Sequence, residues 1–291
     1  MLRISTISFP GFGIGEFTVD SVAFSIGGFE IAWYAIIIAI GIIFGGAYTV
    51  YRAGQVGISL DSTLDYVIIT VPLAVIGARL YYVLTSLEQF DTFYEVINIR
   101  SGGLAIYGAI LTGAVSVFII SKVKKIPFLV IADCCTPGII MAQAIGRWGN
   151  FVNGEAFGSE TDWFCRMGLN NGYTGYQMMY VHPTFLYESL WNVIGFAIAS
   201  LIYKKRQYDG QIFLFVFGWY GLGRMFIEGL RTDSLYTTIF GITFRTSQVL
   251  AAIIFAICAF FLVYLAIRKY NKPLYKLETA VSNTKNNTKG K

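Results

Sequence analysis

Long apolar runs separated by short polar segments set the rhythm of this sequence. Runs at 31–51, 66–87, 102–121, 126–145, 183–203, 211–227 and 247–267 are candidates for crossing a bilayer. A hydrocarbon core of about 30 Å needs about 20 helical residues, and these runs lie near that length. They are continuous, without the alternation over about 10 residues that marks a membrane-barrel strand, so helices are predicted. The fifth run has the polar pair Tyr187 and Glu188 near its start, which makes its beginning the least defined. The pattern predicts an all-α polytopic membrane protein with seven transmembrane helices.

Composition supports this and excludes other classes. Of 291 residues, 55% are hydrophobic and 13% charged, against about 25% charged in a typical soluble domain. Too few polar groups remain to coat a water-soluble surface. Disordered chains and disulfide scaffolds are excluded by the same figures. The four cysteines (Cys134, Cys135, Cys165 and Cys258) show no CxxC or Cys/His metal spacing, so no metal or cofactor is expected. Nothing suggests a nucleic-acid partner.

Charge sets the expected orientation. Arg52, Lys122, Lys124, Lys125, Lys204, Lys205 and Arg206 fall in alternate loops, and every lysine lies on that side. Glu16, Asp20, Glu30, Glu88, Asp91, Glu95, Glu155, Glu160 and Asp162 fall on the other. The positive-inside rule then puts the N-terminus outside and the C-terminus in the cytoplasm. Residues 1–30 carry one basic residue, Arg3, and several glycines, unlike a cleavable leader, and are expected along the outer face. The membrane domain is expected over 31–267, with a small extracytoplasmic head within 151–182. Residues 268–291, rich in Lys, Asn and Thr, read as a disordered basic cytoplasmic tail.

Six charges sit in or at the ends of the apolar runs: Arg79, Asp133, Arg147, Glu188, Arg224 and Glu228. A central Arg costs about 2.5–3.5 kcal/mol on insertion scales, so each needs a partner, water or ligand. In the expected orientation all but Asp133 fall at the outer membrane boundary, where Tyr34 and Tyr107 also begin their helices. A single arginine there could snorkel to the headgroups. Three arginines and two carboxylates at one depth favour a site, and Arg suits bidentate contact with phosphate.

Three motifs carry most of these groups. In Gly146-Arg147-Trp148-Gly149-Asn150-Phe151-Val152-Asn153-Gly154-Glu155-Ala156-Phe157-Gly158, the glycines permit tight turns and close approach, while Arg147, Asn150, Asn153 and Glu155 supply donors and acceptors. The second, His182-Pro183-Thr184-Phe185-Leu186-Tyr187-Glu188, holds the chain's one histidine, a residue that is more often structural than catalytic in such a setting. The third runs from Gly223 to Arg231; its spacing puts Arg224, Glu228 and Arg231 on one helical face, as a site or as an internal salt bridge.

With these motifs the sequence resembles the bacterial prolipoprotein diacylglyceryl transferases. The 13-residue run resembles that family's signature, and the HPTFLYE and GRMFIEGLR segments match its other motifs in order, as do Trp33-Tyr34 and Gly77-Ala78-Arg79. The resemblance covers roughly residues 31–267. It implies a bacterial cell-membrane enzyme that moves the diacylglyceryl group of phosphatidylglycerol onto the lipobox cysteine of a prolipoprotein. It also implies that Arg147 binds the lipid, that Asn150 and Gly158 belong to the signature, that Arg224, Glu228 and Arg231 form the charged face of the sixth helix, and that Tyr34 matches a helix-one tyrosine and joins the substrate-binding set.

One position departs from the family: Tyr107 stands where well-known members have a histidine considered as a base. Tyrosine, with a pKa near 10, is a poor base at neutral pH. Arg147 and Arg224 are expected to clamp the phosphate. Glu228, Glu155 and Tyr107 are candidates for taking the thiol proton, with Glu228 equally suited to holding the arginines. Arg79, Asn153, Arg231 and His182 complete the expected substrate-binding set. Two other classes compete. A transporter would want polar residues through the midplane and related halves, and a lipid-binding scaffold would not need the transition-state groups.

Overall fold

The computed structural model describes residues 4–99, 102–239, 242–272 and 274–275. The tail expected to be disordered lies, from residue 276 on, outside the described residues. Among the described residues, seven helices are long and apolar enough to cross a membrane. In chain order the elements are strands β1 (Ile4–Phe9), β2 (Ile14–Asp20), β3 (Val22–Ile26) and β4 (Phe29–Ala32), then helices α1 (Trp33–Gln55), α2 (Leu60–Thr85), α3 (Phe93–Ile97), α4 (Ile106–Lys124) and α5 (Phe128–Asn153). Strands β5 (Met167–Asn170) and β6 (Met179–Val181), helices α6 (Thr184–Ile202) and α7 (Gln211–Ile227), strands β7 (Tyr236–Ile239) and β8 (Ile242–Arg245), and helix α8 (Thr246–Ile267) follow. Apart from the five-residue α3, the helices are the seven spans.

The chain forms two compact units, one from residues 1–48 and 135–274, the other from 49–134 and 275–291. In the second, α2 packs along α4. Ser59 caps α2 by accepting from the Ser62 N–H at 3.2 Å, a bond that satisfies one of the orphan donors of the first turn. In the first unit, α7 packs along α8 and on α6. Trp191 of α6 and Trp219 of α7 stack at 4.3 Å, and each indole N–H donates to the other's backbone carbonyl at 2.9 Å. That reciprocal pair fixes both the rotation and the height of α6 against α7.

The strands are the feature that apolar periodicity did not reveal. β1 pairs antiparallel with β2 and with β5, and β5 with β6, so the N-terminal segment and the head loop share one four-stranded sheet in the order β2-β1-β5-β6. Ile7, Met167, Leu169 and Val181 from this sheet bury themselves with Phe185 of α6, and Phe151 of α5 packs on the cluster. This small core ties the head to the helix ends that carry the polar residues. Two further hairpins, β3–β4 and β7–β8, are antiparallel.

Helix bounds differ from the apolar runs in an informative way. The fourth run ends at 145, yet α5 continues to Asn153. Residues 146–153 of the first motif are therefore its last two turns rather than a loop. Polar side chains end an apolar run, but they do not end a helix.

Candidate functional site

The ends of α5, α6 and α7 are locked together before any charge is considered. Trp148 of α5 donates its indole N–H to Ser189 Oγ at 3.2 Å, and Ser189 donates to the Ala144 carbonyl at 3.0 Å. Phe151 and Phe185 pack with ring centroids 4.7 Å apart. At the end of α7, Gln248 donates to the Met225 carbonyl at 2.8 Å, and Arg245 donates to the Glu228 carbonyl at 2.5 Å.

On this frame three guanidinium groups converge on one carboxylate, the buried Glu188 of α6. Arg147 Nη2 lies 2.6 Å from Glu188 Oε2, Arg224 Nη1 2.7 Å from Oε1, and Arg231 Nη1 3.5 Å from the same Oε1. Glu228, also buried, meets Arg224 Nη2 at 2.5 Å and Arg231 Nε at 4.0 Å. Asp233 grips Arg231 from outside with two bonds of 2.9 and 2.7 Å. Arg224, Glu228 and Arg231 thus do meet, though not on one α-helix: α7 ends at Ile227 and a 3-10 turn, Glu228–Leu230, leads to Arg231. Arg231 lies outside the spanning helices. Burial alone would lower its pKa, but its bonds to Asp233 and the charges of Asp233, Glu188 and Glu228 prevail and hold it above the ordinary value.

The signature motif adds a second, connected layer. Arg147 Nη1 donates to Asn150 Oδ1 at 3.3 Å, and Asn150 Nδ2 donates to Glu155 Oε1 at 3.2 Å. Asn153 Nδ2 donates to the same Glu155 oxygen at 3.0 Å. Two glycines make this geometry possible by close approach. A Cβ on Gly149 would stand 2.6 Å from the ring of Tyr34, so the helical glycine admits that tyrosine against α5. A Cβ on Gly158 would stand 2.7 Å from His182 Cβ and 3.0 Å from the Leu230 carbonyl. There the chain pairs as a bridge with Arg231, and Gly158 donates to the His182 carbonyl at 3.0 Å.

Arg147, Arg224, Glu228, Arg231, Asn150, Asn153, Glu155, Tyr34 and Gly158 therefore belong to one continuous site. His182 borders it through its backbone, while its Nδ1 lies 3.2 Å from the Tyr187 hydroxyl, which also meets Cys165 Sγ at 3.1 Å. Burial lowers the His182 pKa. Arg79 and Tyr107 lie in the other unit. Arg79 is buried and donates to four backbone carbonyls: Val96 at 2.9 Å, Glu95 at 2.6 Å, Gly102 at 2.7 Å and Gly103 at 2.9 Å. Those contacts make it a clamp for its own loop. Tyr107 lies at the start of α4 with its ring 6.5 Å from that of Tyr81.

The sequence pattern put Glu188 among the five charges that favour a site but gave it no role of its own. The arrangement makes it the hub, and its place in the HPTFLYE motif was the available signal. Asp233 gave no signal of its own. Chemically, the site holds three guanidiniums in fixed orientation, each with five N–H donors. Their side chains are 22% exposed in Arg147, 14% in Arg224 and 10% in Arg231, so Arg147 is the most accessible to an arriving anion.

Known proteins match this chain over nearly its whole length. The family model described as prolipoprotein diacylglyceryl transferase matches residues 21–264. A protein of Clostridium kluyveri named phosphatidylglycerol–prolipoprotein diacylglyceryl transferase is 42% identical over 257 residues, covering 85% of this chain and 97% of its own. One of Clostridium perfringens, with the same name and the suffix 1, is 41% identical over 270 residues, covering 88% and 99%. One of Listeria innocua is 38% identical over 269 residues, covering 90% and 95%.

Proposed function

The chain belongs to the prolipoprotein diacylglyceryl transferase family, and from that premise we propose that it moves the diacylglyceryl group of phosphatidylglycerol onto the lipobox cysteine of a prolipoprotein, the first step of lipoprotein maturation. The observation that supports this best is the meeting of Arg147, Arg224 and Arg231 on the buried Glu188 at the ends of membrane-spanning helices. In this reading the protein lies in the bacterial cytoplasmic membrane with its N-terminus outside, its C-terminal tail inside and the arginine cluster at the outer leaflet. The lysine distribution supports that orientation. Residues 1–30 and the head within 151–182 lie on the outer face, and the signal peptide and the lipid arrive laterally from the bilayer.

The reaction breaks the bond between the glyceryl carbon and the phosphate oxygen and forms a carbon–sulfur bond. The electron pair of the broken bond stays with the phosphate, and the thiol proton is released. A phosphodiester with one negative charge thereby becomes a phosphomonoester carrying about 1.5 to 2. Donors fixed in advance around that phosphate gain most as the charge grows, which is the condition for speeding the chemical step. Arg147 and Arg224 are those donors. Glu188 and Glu228 keep the guanidiniums oriented, and Arg231 completes the frame. Loss of one such donor costs about 3 kcal/mol, or about 100-fold or more in rate.

The attacking sulfur belongs to the incoming peptide. A free thiol has a pKa of about 8.5, which falls beside cationic groups, so the arginines that hold the phosphate also favour the thiolate. Glu228 is held by two arginines and Glu155 by two amides. In this reading neither acts as a dedicated base, and Tyr107 is not needed as one.

The test uses purified protein in detergent with phosphatidylglycerol and a lipobox peptide, following glycerol phosphate release. Release should require the peptide cysteine, fall about 100-fold or more in Arg147→Ala, and persist in Tyr107→Phe. A folded parent that releases nothing with several lipobox peptides would leave a lipid-binding protein without this activity.

A further inference from the structure

Apolar faces hold two membrane helices only loosely in register, because lipid tails are as apolar as the side chains between them. The arginine cluster nevertheless depends on the height of α6 against α7, since Arg224 Nη1 of α7 meets Glu188 Oε1 of α6 at 2.7 Å. One residue of helix rises about 1.5 Å, and a slip of that size takes such a pair out of hydrogen-bonding distance. The register of these two helices therefore needs a tighter fix than apolar packing.

The Trp191–Trp219 pair is built for that. The indoles stack with centroids 4.3 Å apart and planes 16° from parallel, and each Nε1–H donates to the other residue's carbonyl at 2.9 Å. The helical ladder uses one lone pair of each carbonyl; the indole, a donor only, takes the other. Each ring is seated on a buried glycine of the facing helix: Trp191 on Gly223 of α7, Trp219 on Gly195 of α6. A Cβ at either glycine would run into the ring above it. Because the two bonds run in opposite senses, a slip of either helix or a turn about its axis strains both.

The clasp is also placed to matter. Glu188 lies three residues before Trp191, nearly one turn away on α6, and Arg224 directly follows Gly223 on α7. The carboxylate and the guanidinium are thus carried by the same short stretches of helix that the indoles lock together.

We propose that Trp191 and Trp219 are positioning residues for the transfer reaction: seated on Gly223 and Gly195, they set the height at which Glu188 holds Arg224, and so the aim of that guanidinium at the phosphate. This rests on the transferase reading above and adds to it the device that keeps two of its groups in line. The tryptophans act through Glu188 and Arg224, not on the substrate. Misplacing a catalytic group by about 1 Å from a distant change can cost about 100-fold in rate, so a loosened register shows in turnover.

The test measures thioether formation on a lipobox peptide by the full-length protein in detergent, with kcat and KM for phosphatidylglycerol corrected for folded protein. Trp191→Phe keeps a ring in the stack and removes one N–H. Gly195→Ala keeps both indoles and displaces the Trp219 ring from a point about two turns from Glu188. Each should lower kcat about tenfold or more, with KM changed by less than about twofold, the mark of an interaction that counts in the transition state. Tyr66→Phe is the control for lost stability alone, since it removes the buried bond from the Tyr66 hydroxyl to Ser121 Oγ at 3.1 Å. Its thermal midpoint should fall comparably while kcat stays within about twofold of the parent. In an Arg224→Ala background Trp191→Phe should cost less than about threefold, because the clasp acts through that arginine.

Three results would overturn the proposal: parental kcat in both Trp191→Phe and Gly195→Ala, an equal loss of kcat in Tyr66→Phe, or the same cost of Trp191→Phe with Arg224 and without it. Should one of the two clasp variants fail to fold, the other carries the same readout. A folded parent that forms no thioether is a different outcome: there the transferase reading fails and takes the proposal with it.

Discussion

Two sets of arginines in this protein look alike in sequence and differ in what they hold. Arg79, in α2, directs its guanidinium to four backbone carbonyls of the segment after its own helix. Arg147, Arg224 and Arg231 direct theirs to the side-chain carboxylates of Glu188, Glu228 and Asp233. A carbonyl of a folded loop cannot leave without unfolding that loop, so Arg79 is a structural tie. A carboxylate can share a guanidinium with an arriving anion, because each fork has five donors. Burial of an arginine in a membrane helix is therefore only half of an argument for function. The acceptor decides the other half.

Removing the hub should have the largest effect on this contrast. Glu188→Gln leaves three guanidiniums around a neutral amide, and breaking a buried ion pair by removing one partner costs about 3–5 kcal/mol. Turnover should fall about 100-fold or more, because the donors lose the orientation that makes them effective in the transition state. Initial rates on phosphatidylglycerol, corrected for folded protein, measure this. Near-parental turnover would mean that the arginines hold their places without Glu188.

Arg79→Ala should damage a different quantity. Carbonyls left enclosed without a donor cost about 1–3 kcal/mol each, so the yield of folded protein and its thermal midpoint in detergent should drop clearly. The turnover of the fraction that folds should stay within about threefold of the parent, less than a lost catalytic donor would cause. A stable Arg79→Ala protein with turnover down about 100-fold would break the distinction and return Arg79 to the substrate.

What could be read from sequence divides along the same line between local and distant relations. The seven spans were legible because a bilayer imposes a length and a composition on each segment separately. The relation of Arg224 to Glu228 was legible because both lie on one short stretch. Glu188 as a hub was not, since its three arginines come from the ends of α5 and α7 and the turn beyond α7, and no spacing relates them. The four-stranded sheet escaped for the same reason: Thr6 pairs with Asn170, far along the chain. The β3–β4 hairpin did carry a local signal in Gly27-Gly28, both at positive φ between its strands, a pair that suits a two-residue hairpin turn. Composition drew attention away from it. The end of α5 was misplaced because polar residues facing the site interrupt the apolar run.

The smallest expected effect lies one side chain outside the cluster, at His182. Its backbone pairs with Gly158 and Ser159, with His182 N–H donating to the Ser159 carbonyl at 3.0 Å. Its ring faces the Tyr187 hydroxyl and lies against Trp163. Burial lowers its pKa from the ordinary 6.5, because a low-dielectric setting disfavours the imidazolium. Below about pH 6.5 the unfolded chain therefore takes up a proton that the folded chain resists, and stability is lost as the pH falls toward the lower folded value. Above that window the ring is neutral in both states and adds no pH dependence. Replacing it by Gln keeps a polar side chain and removes the titration. Between about pH 7.5 and about pH 5.5 the thermal midpoint of His182→Gln should fall less than that of the parent. Its turnover at the higher pH should stay near parental, because the contacts that border the site are those of the backbone. Equal acid sensitivity in the two proteins would show that the ring is solvated enough to titrate alike folded and unfolded. A large loss of turnover at the higher pH would move the boundary of the site outward to include the imidazole.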